Sequence, residues 1–154
     1  MHVVDTNVLV YAVNASSAEH RRCRSLVESW RVAPEPWGVT WSVIYEFLRV
    51  VTHPRVLPRP LTTAQAWSFI EALLGSPSLR VLVETDSHAA FAARTLAEVP
   101  LLAGNMLHDA HTAVVMREHG VGRVVTRDTD FHRFPFLEVV DPMAADDPQR
   151  RRAT

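Results

Sequence analysis

The sequence predicts an α/β fold, with a short, mainly parallel central sheet and helices on both of its faces. Three observations predict it. Apolar runs of strand length (MHVVD, LRVLV and VVT) recur along the chain, and continuous apolar runs of this kind belong to strands buried on both faces. Longer segments with apolar residues at helical spacing lie between them, the alternation that builds a parallel sheet. Finally, 154 residues at 47% hydrophobic content match one domain with a core of its own.

Taken in order, Met1–Asp5 reads as a buried strand. Val8, Leu9, Ala12 and Val13 follow at helical spacing. Ser16 or Ser17 is expected to cap a second helix that runs to about Trp30. Pro34-Glu35-Pro36 breaks the chain, Gly38–Trp41 reads as a brief strand, and Ser42–Val51 as a strongly apolar helix. Three prolines make His53–Pro60 a loop. Thr62 or Thr63 caps the next helix, which ends near Gly75. Leu79–Val83 is a strand, Ser87 opens a helix through Glu98, and His108–His119 is a helix closed by Gly120. A strand lies within Val121–Thr126, a loop over RDTDFHRF, and a last strand at Leu137–Val140. Residues 1–141 therefore form the domain, and 142–154 a polar tail, rich in arginine and expected to be disordered.

Charge and cysteine content narrow the function classes. The net charge of −1 gives no overall attraction to nucleic acid, yet all 16 cationic side chains are arginine, which suits two-pronged contacts with phosphate. Cys23 stands alone, so no disulfide framework exists within the chain, and a reducing, cytoplasmic setting is expected. No apolar run approaches the roughly 20 residues of a membrane span, and the first residues do not read as a signal peptide. Trp30, Trp37, Trp41 and Trp67 are expected in the core. His20, His53, His88 and His132 are scattered without ligand spacing.

The chemistry lies in the acids. In a parallel sheet, ligands bind beyond the carboxyl ends of the strands. Asp5 ends the first strand, and Asp128 and Asp130 follow a later one. Asp109 lies in the first turn of a helix, and Glu46 sits within the most apolar helix. Each has an ordinary alternative: a turn residue for Asp128 and Asp130, a helix-dipole partner for Asp109, and an ion pair with Arg49 for Glu46. Asp5 is hardest to explain that way, because a carboxylate at the end of a buried strand is costly unless paired or liganded. Carboxylates that share a crevice raise one another's pKa unless a cation intervenes. Oxygen ligands alone suit hard ions such as Mg²⁺ or Mn²⁺.

These residues resemble the motifs of PIN-domain nucleases. VVDTNVLVY is similar to the first motif and Glu46 in WSVIYEFLRV to the second. Asn105–Ala110 (NMLHDA) is similar to the third, and TRDTDF, Thr126–Phe131, to the fourth. The order and rough spacing agree over nearly the whole chain, and the size resembles VapC-type toxins. The resemblance implies a three-layer α/β/α domain and metal-dependent RNA cleavage. It also implies Mg²⁺ or Mn²⁺ as cofactor, RNA as substrate and a cognate antitoxin as partner. A homodimer is expected, with no membrane association. By position, Asp5, Glu46, Asp109 and Asp128 form the acidic site, with the metal on Asp5, Asp109 and Asp128. Asn7, Thr126 and Asp130 are expected to support them, and Arg127 and Arg133 to contact RNA backbone. Arg21, Arg22 and Arg24 read as a solvated helix face.

Three other readings stay open at this point. His108-Asp109, with His111 nearby, is the pair used by HD-type metal phosphohydrolases, which are all-helical. A PIN-like chain can also serve as a catalytically silent binding module. An acidic cluster of this kind would equally serve flap or exonuclease action on DNA.

Overall fold

Val3 and Val4 are neighbours on one strand, both fully buried, and they point into two different hydrophobic cores. That is the signature of a sheet covered on both faces. A computed structural model describes residues 1–144. Of the tail expected over 142–154, residues 145–154 lie outside the described residues.

Among the described residues, five strands form one sheet: β1 (His2–Val4), β2 (Trp37–Thr40), β3 (Leu79–Leu82), β4 (Arg123–Val125) and β5 (Glu138–Val140). Their order is β3-β2-β1-β4-β5, and every adjacent pair is parallel. The chain first steps outward from β1 to β3. It then returns to the other side of β1 for β4 and β5, so the order reverses between β1 and β4. Among the described residues, six α-helices cover the sheet: α1 (Thr6–Val13), α2 (His20–Val32), α3 (Trp41–Val51), α4 (Thr63–Leu74), α5 (His88–Glu98) and α6 (Met106–Glu118). Residues of α1 to α4 fill one core with Val4, Trp37 and Val125. Residues of α6 fill the other with Val3, Val124, Phe131 and Phe134. The fold is the expected three-layer α/β/α arrangement.

Several boundaries differ from the expectation for local reasons. The turn before α2 is held by Asn14, whose side chain accepts from Ser16 N–H at 3.2 Å. The helix therefore starts at His20, and neither Ser16 nor Ser17 caps it. The segment after β4 is not all loop, because the Asp128 side chain caps a 3₁₀ turn at Thr129–Arg133. Helix α6 begins at Met106, two residues before the expected start. Thr62 caps α4 through a reciprocal capping box with Gln65. Trp37 is buried as expected, but Trp41 and Trp67 are 41% and 38% exposed. No helix among the described residues is long and apolar enough to cross a membrane.

Helix α3 shows how packing aims a functional residue. Thr40 caps it by accepting from the Val43 N–H, and Val43, Ile44, Phe47 and Val51 bury one face. Phe47 is fully buried against Phe69, with ring centroids 5.2 Å apart. That rotation turns Glu46 toward the carboxyl end of β1. Phe47→Ala is expected to lower stability by about 3–5 kcal/mol, the usual cost of a large core truncation, measured by urea unfolding.

Candidate functional site

Asp5 belongs to two elements at once. Its backbone N–H continues the sheet by donating to the Val125 carbonyl at 3.1 Å. Its side chain caps α1, with Oδ1 accepting from the Thr6 N–H at 2.7 Å. Oδ2 accepts from Asn7 Nδ2 at 2.7 Å and from Thr126 Oγ1 at 2.6 Å. The Thr126 hydroxyl also accepts from Asn7 Nδ2 and from the Asp128 N–H, both at 2.8 Å. Asp5, Asn7 and Thr126 thus form a closed triangle across the β1–β4 boundary, the point where the strand order reverses. Thr126 is 1% exposed and Asp5 is 7% exposed, so water does not compete for these bonds.

The other acids gather around this triangle. Glu46 Oε2 accepts from Thr6 Oγ1 at 3.1 Å, and its Oε1 accepts from Arg49 at 3.3 Å. Asp128 Oδ1 accepts from the Asp130 N–H at 2.8 Å. Asp109, half-buried in the first turn of α6, comes from the opposite layer. Carboxylate oxygens of Asp109, Asp128 and Asp130 all lie within 4.8 Å of one another. Oxygens at neighbouring positions around an octahedral ion of about 2.1 Å bond length stand about 3.0 Å apart, and opposed ones about 4.2 Å, so the three carboxylates would draw closer by about 1–2 Å to seat one hard divalent cation. The expectation set Asp5 beside Asp109 and Asp128, with Asp130 in support; the tight trio instead contains Asp130. Asp5 stays in charge range of them, held by its three hydrogen bonds.

Electrostatics record the convergence. Burial, with the charges of Asp5, Asp128, Glu46 and Asp130 adding to it, pushes the Asp109 carboxyl up to about 7. Burial, opposed by the bonds from Thr126 and Thr6 and helped by the charges of Glu46 and Asp128, leaves the Asp5 carboxyl raised to about 6. Five carboxylates from four segments of the chain therefore share one field.

The remaining expected residues are accounted for as follows. Arg127 pairs with Glu19 and, at 3.6 Å, with Asp141. Arg133 pairs with Asp130 at 3.4 Å. Both cations expected to meet RNA are therefore engaged with acids of their own chain. Arg22 Nε donates to the Pro142 carbonyl at 3.1 Å. His108 is exposed, and the His111 ring contacts Ser42 Oγ at 3.3 Å and Glu84 at 2.8 Å. With five parallel strands in the fold, the all-helical HD reading does not hold. Thr6 had no role in the expectation. It bridges Asp5 through its N–H and Glu46 through its hydroxyl, and its place directly after Asp5 in the first motif was the available signal.

A parallel sheet with an acidic cluster at its reversal point defines a PIN-class domain. The chain belongs to the PIN-domain family, whose model matches residues 2–137. Its curated relatives include Ribonuclease VapC43 of Mycobacterium tuberculosis, 37% identical over 143 residues, which covers 93% of this chain and 96% of that protein. Among solved structures it is similar to VapC20 of Mycobacterium tuberculosis, described as a sarcin-ricin loop cleaving toxin. There the TM-score is 0.66 at 23% identity, covering 92% of this chain and all of that one. It is also similar to VapBC2 from Rickettsia felis bound to a DNA fragment from their promoter. In that case the TM-score is 0.62 at 18% identity, covering 90% of this chain and 96% of that one. At such identities the two structures bear on the fold, and they agree with the three-layer architecture.

The raised carboxyl has a measurable consequence. A folded-state pKa of about 7 against the ordinary 3.8 means that the folded protein holds this proton more tightly than the unfolded chain. The Asp109 contribution to stability is therefore lost as pH rises from about 4 through 7. In metal-free buffer, Asp109→Asn is expected to melt higher than the wild type at pH 8, with the gap closing at pH 5. A difference in melting temperature that does not change with pH would contradict this.

Proposed function

We propose that the chain is a metal-dependent endoribonuclease, the toxin of a toxin–antitoxin pair, with Mg²⁺ or Mn²⁺ in its acidic site. RNA as substrate, a cognate protein antitoxin as partner, assembly as a homodimer and a cytoplasmic location belong to the same reading. The observation that carries it is the convergence of the acids, with carboxylate oxygens of Asp109, Asp128 and Asp130 all within 4.8 Å of one another and Asp5 and Glu46 beside them. A cluster so loaded is stable as an anionic set only beside a cation. Its all-oxygen donors favour hard ions. The names of the relatives support the ribonuclease class, and the VapBC likeness supports an antitoxin.

Asp109 and Asp128 would hold the ion together with Asp5 or with Asp130, which completes the tighter trio. A divalent ion bound there supplies charge neutralisation for the scissile phosphate and makes water more acidic. The protein's own part is orientation. The Asn7–Thr126 pair fixes Asp5 in one rotamer, as outer partners of metal-binding carboxylates do. Thr6 aims Glu46 into the same space, where its carboxylate accepts a proton from the attacking water. Burial of Asp5 and Thr126 keeps bulk solvent from the floor of the site and strengthens the field there, while Glu46 and Asp130 stay partly exposed.

Incubating wild-type and Asp5→Asn proteins with total cellular RNA, in Mg²⁺, Mn²⁺ or EDTA, tests this. Discrete fragments are expected from the wild type alone, and EDTA should abolish them. Intact RNA under every condition, from folded protein free of antitoxin, would move the reading to a silent binding module; cleavage of DNA alone would move it to a deoxyribonuclease. Thr126→Val, which removes the hydroxyl but not the volume, is expected to slow cleavage about 10–100-fold while the melting curve stays cooperative.

A further inference from the structure

Asp109 reaches the acidic site on a weakly held piece of chain. The residues before it pass through two left-handed positions, Leu101 (φ 64°) and Gly104 (φ 59°). Helix α6 then opens without a side-chain cap from Asn105. Leu107 and His108 are exposed, and the first buried residue of the helix is Ala110. The acids that Asp109 faces also repel it. Its position therefore depends on what holds α6 beyond the first turn.

His111 and Thr112 supply that hold. The His111 ring stands between two partners, with Nε2 2.8 Å from Glu84 Oε1 and Nδ1 3.3 Å from Ser42 Oγ. A carboxylate only accepts, so Nε2 donates to Glu84, and Nδ1 of the neutral ring accepts from the Ser42 hydroxyl. Thr112 Oγ1 lies 3.5 Å from the same Ser42 oxygen. Ser42 Oγ is in turn 2.7 Å from Oγ1 of Thr40, the buried last residue of β2. Elsewhere the sheet separates the two helices, since α3 packs in the core with Val4 and α6 in the core with Val3. At the carboxyl edge of the sheet this line of polar groups joins them. Ser42 lies one turn before Glu46, and His111 follows Asp109 by two residues. One strut thus links the helices that carry acids on opposite walls, and it is anchored at the ends of β2 and β3.

We propose that His111, clamped between Glu84 and Ser42, is a positioning residue that holds Asp109 in place across the cleft from Glu46 and so raises the affinity of the acidic site for a divalent cation. The proposal rests on the metal-dependent reading of the site and adds which residues outside the acids set that affinity. Asp109, Asp128 and Asp130 have to draw together to seat an ion. A wall that is already pinned leaves less ordering to be done on binding. Without the strut, repulsion among the carboxylates swings the first turn of α6 outward, and the ion has to recover that displacement.

Mn²⁺ binding by the full chain, followed through the paramagnetic resonance signal of the free ion, reads this affinity without RNA or turnover. Ser42→Ala is expected to weaken binding about three- to tenfold, the worth of one hydrogen bond. Ser42→Thr, which keeps the hydroxyl, should restore it. His111→Phe keeps a ring beside His88, now 5.6 Å away between centroids, but loses both bonds, and should weaken Mn²⁺ at least as far as Ser42→Ala. Glu84→Ala, at the half-exposed end of the strut, should act in the same direction. Unchanged Mn²⁺ affinity in Ser42→Ala and His111→Phe overturns the proposal, as does a loss that Ser42→Thr fails to restore. A lower melting temperature at unchanged affinity also overturns it, and assigns the strut to stability alone. If those variants do not fold, Glu84→Ala decides, and unchanged affinity there is fatal to the idea. A wild type that takes up no Mn²⁺, or takes it up equally well after Asp109→Asn, removes the metal-dependent reading itself and the strut's role with it.

Discussion

The hydrogen-bonded triangle of Asp5, Asn7 and Thr126 is the joint on which the rest of the site depends. It closes the boundary between β1 and β4, where the strand order reverses and the sheet leaves an open crevice at its carboxyl end. A buried carboxylate there would be intolerable without donors, and Asp5 has three. From this fixed point the neighbouring acids take their places: Asp128 through the Thr126 hydroxyl and Glu46 through Thr6. The fold thus accepts a local electrostatic penalty and confines it to one end of the sheet.

Helix α3 answers two demands with one amphipathic pattern. Its apolar face anchors it in the core and sets its rotation. The rotation then decides which polar residue meets the acids and which aromatic residues reach solvent. The side chains on Ser42 and Glu46 look inward along the cleft, and those on Trp41 and Tyr45 look out over its rim. A change of register by one residue would exchange these roles.

Much of this was legible in the sequence, for identifiable reasons. Strands buried on both faces read as unbroken apolar runs, so β1, β3 and β4 were found within a residue or two of their ends. Four acids in motif order located the crevice, because strand ends and helix starts are local features. Contacts between distant segments were not legible. Nothing local shows that Asp130 completes a trio with Asp109, or that Arg127 reaches back to Glu19, 108 residues away. The 3₁₀ turn after Asp128 was hidden because a capping aspartate and a loop aspartate look alike in sequence. Trp41 was expected in the core from residue type alone, but it follows directly on β2 and lies off the face that Val43, Ile44 and Phe47 bury.

The bond from Thr126 to Asp5 joins residues 121 positions apart. During synthesis, Asp5 and Glu46 leave the ribosome long before Asp109, Thr126 and Asp128 exist. Until the last third of the chain has been made and β4 has paired beside β1, no partly synthesised form contains a complete site. A chain that ends before β4 lacks Thr126, Asp128 and Asp130, and so holds only part of the acidic cluster. The return of β4 to the middle of the sheet therefore ties completion of the acidic cluster to completion of the fold.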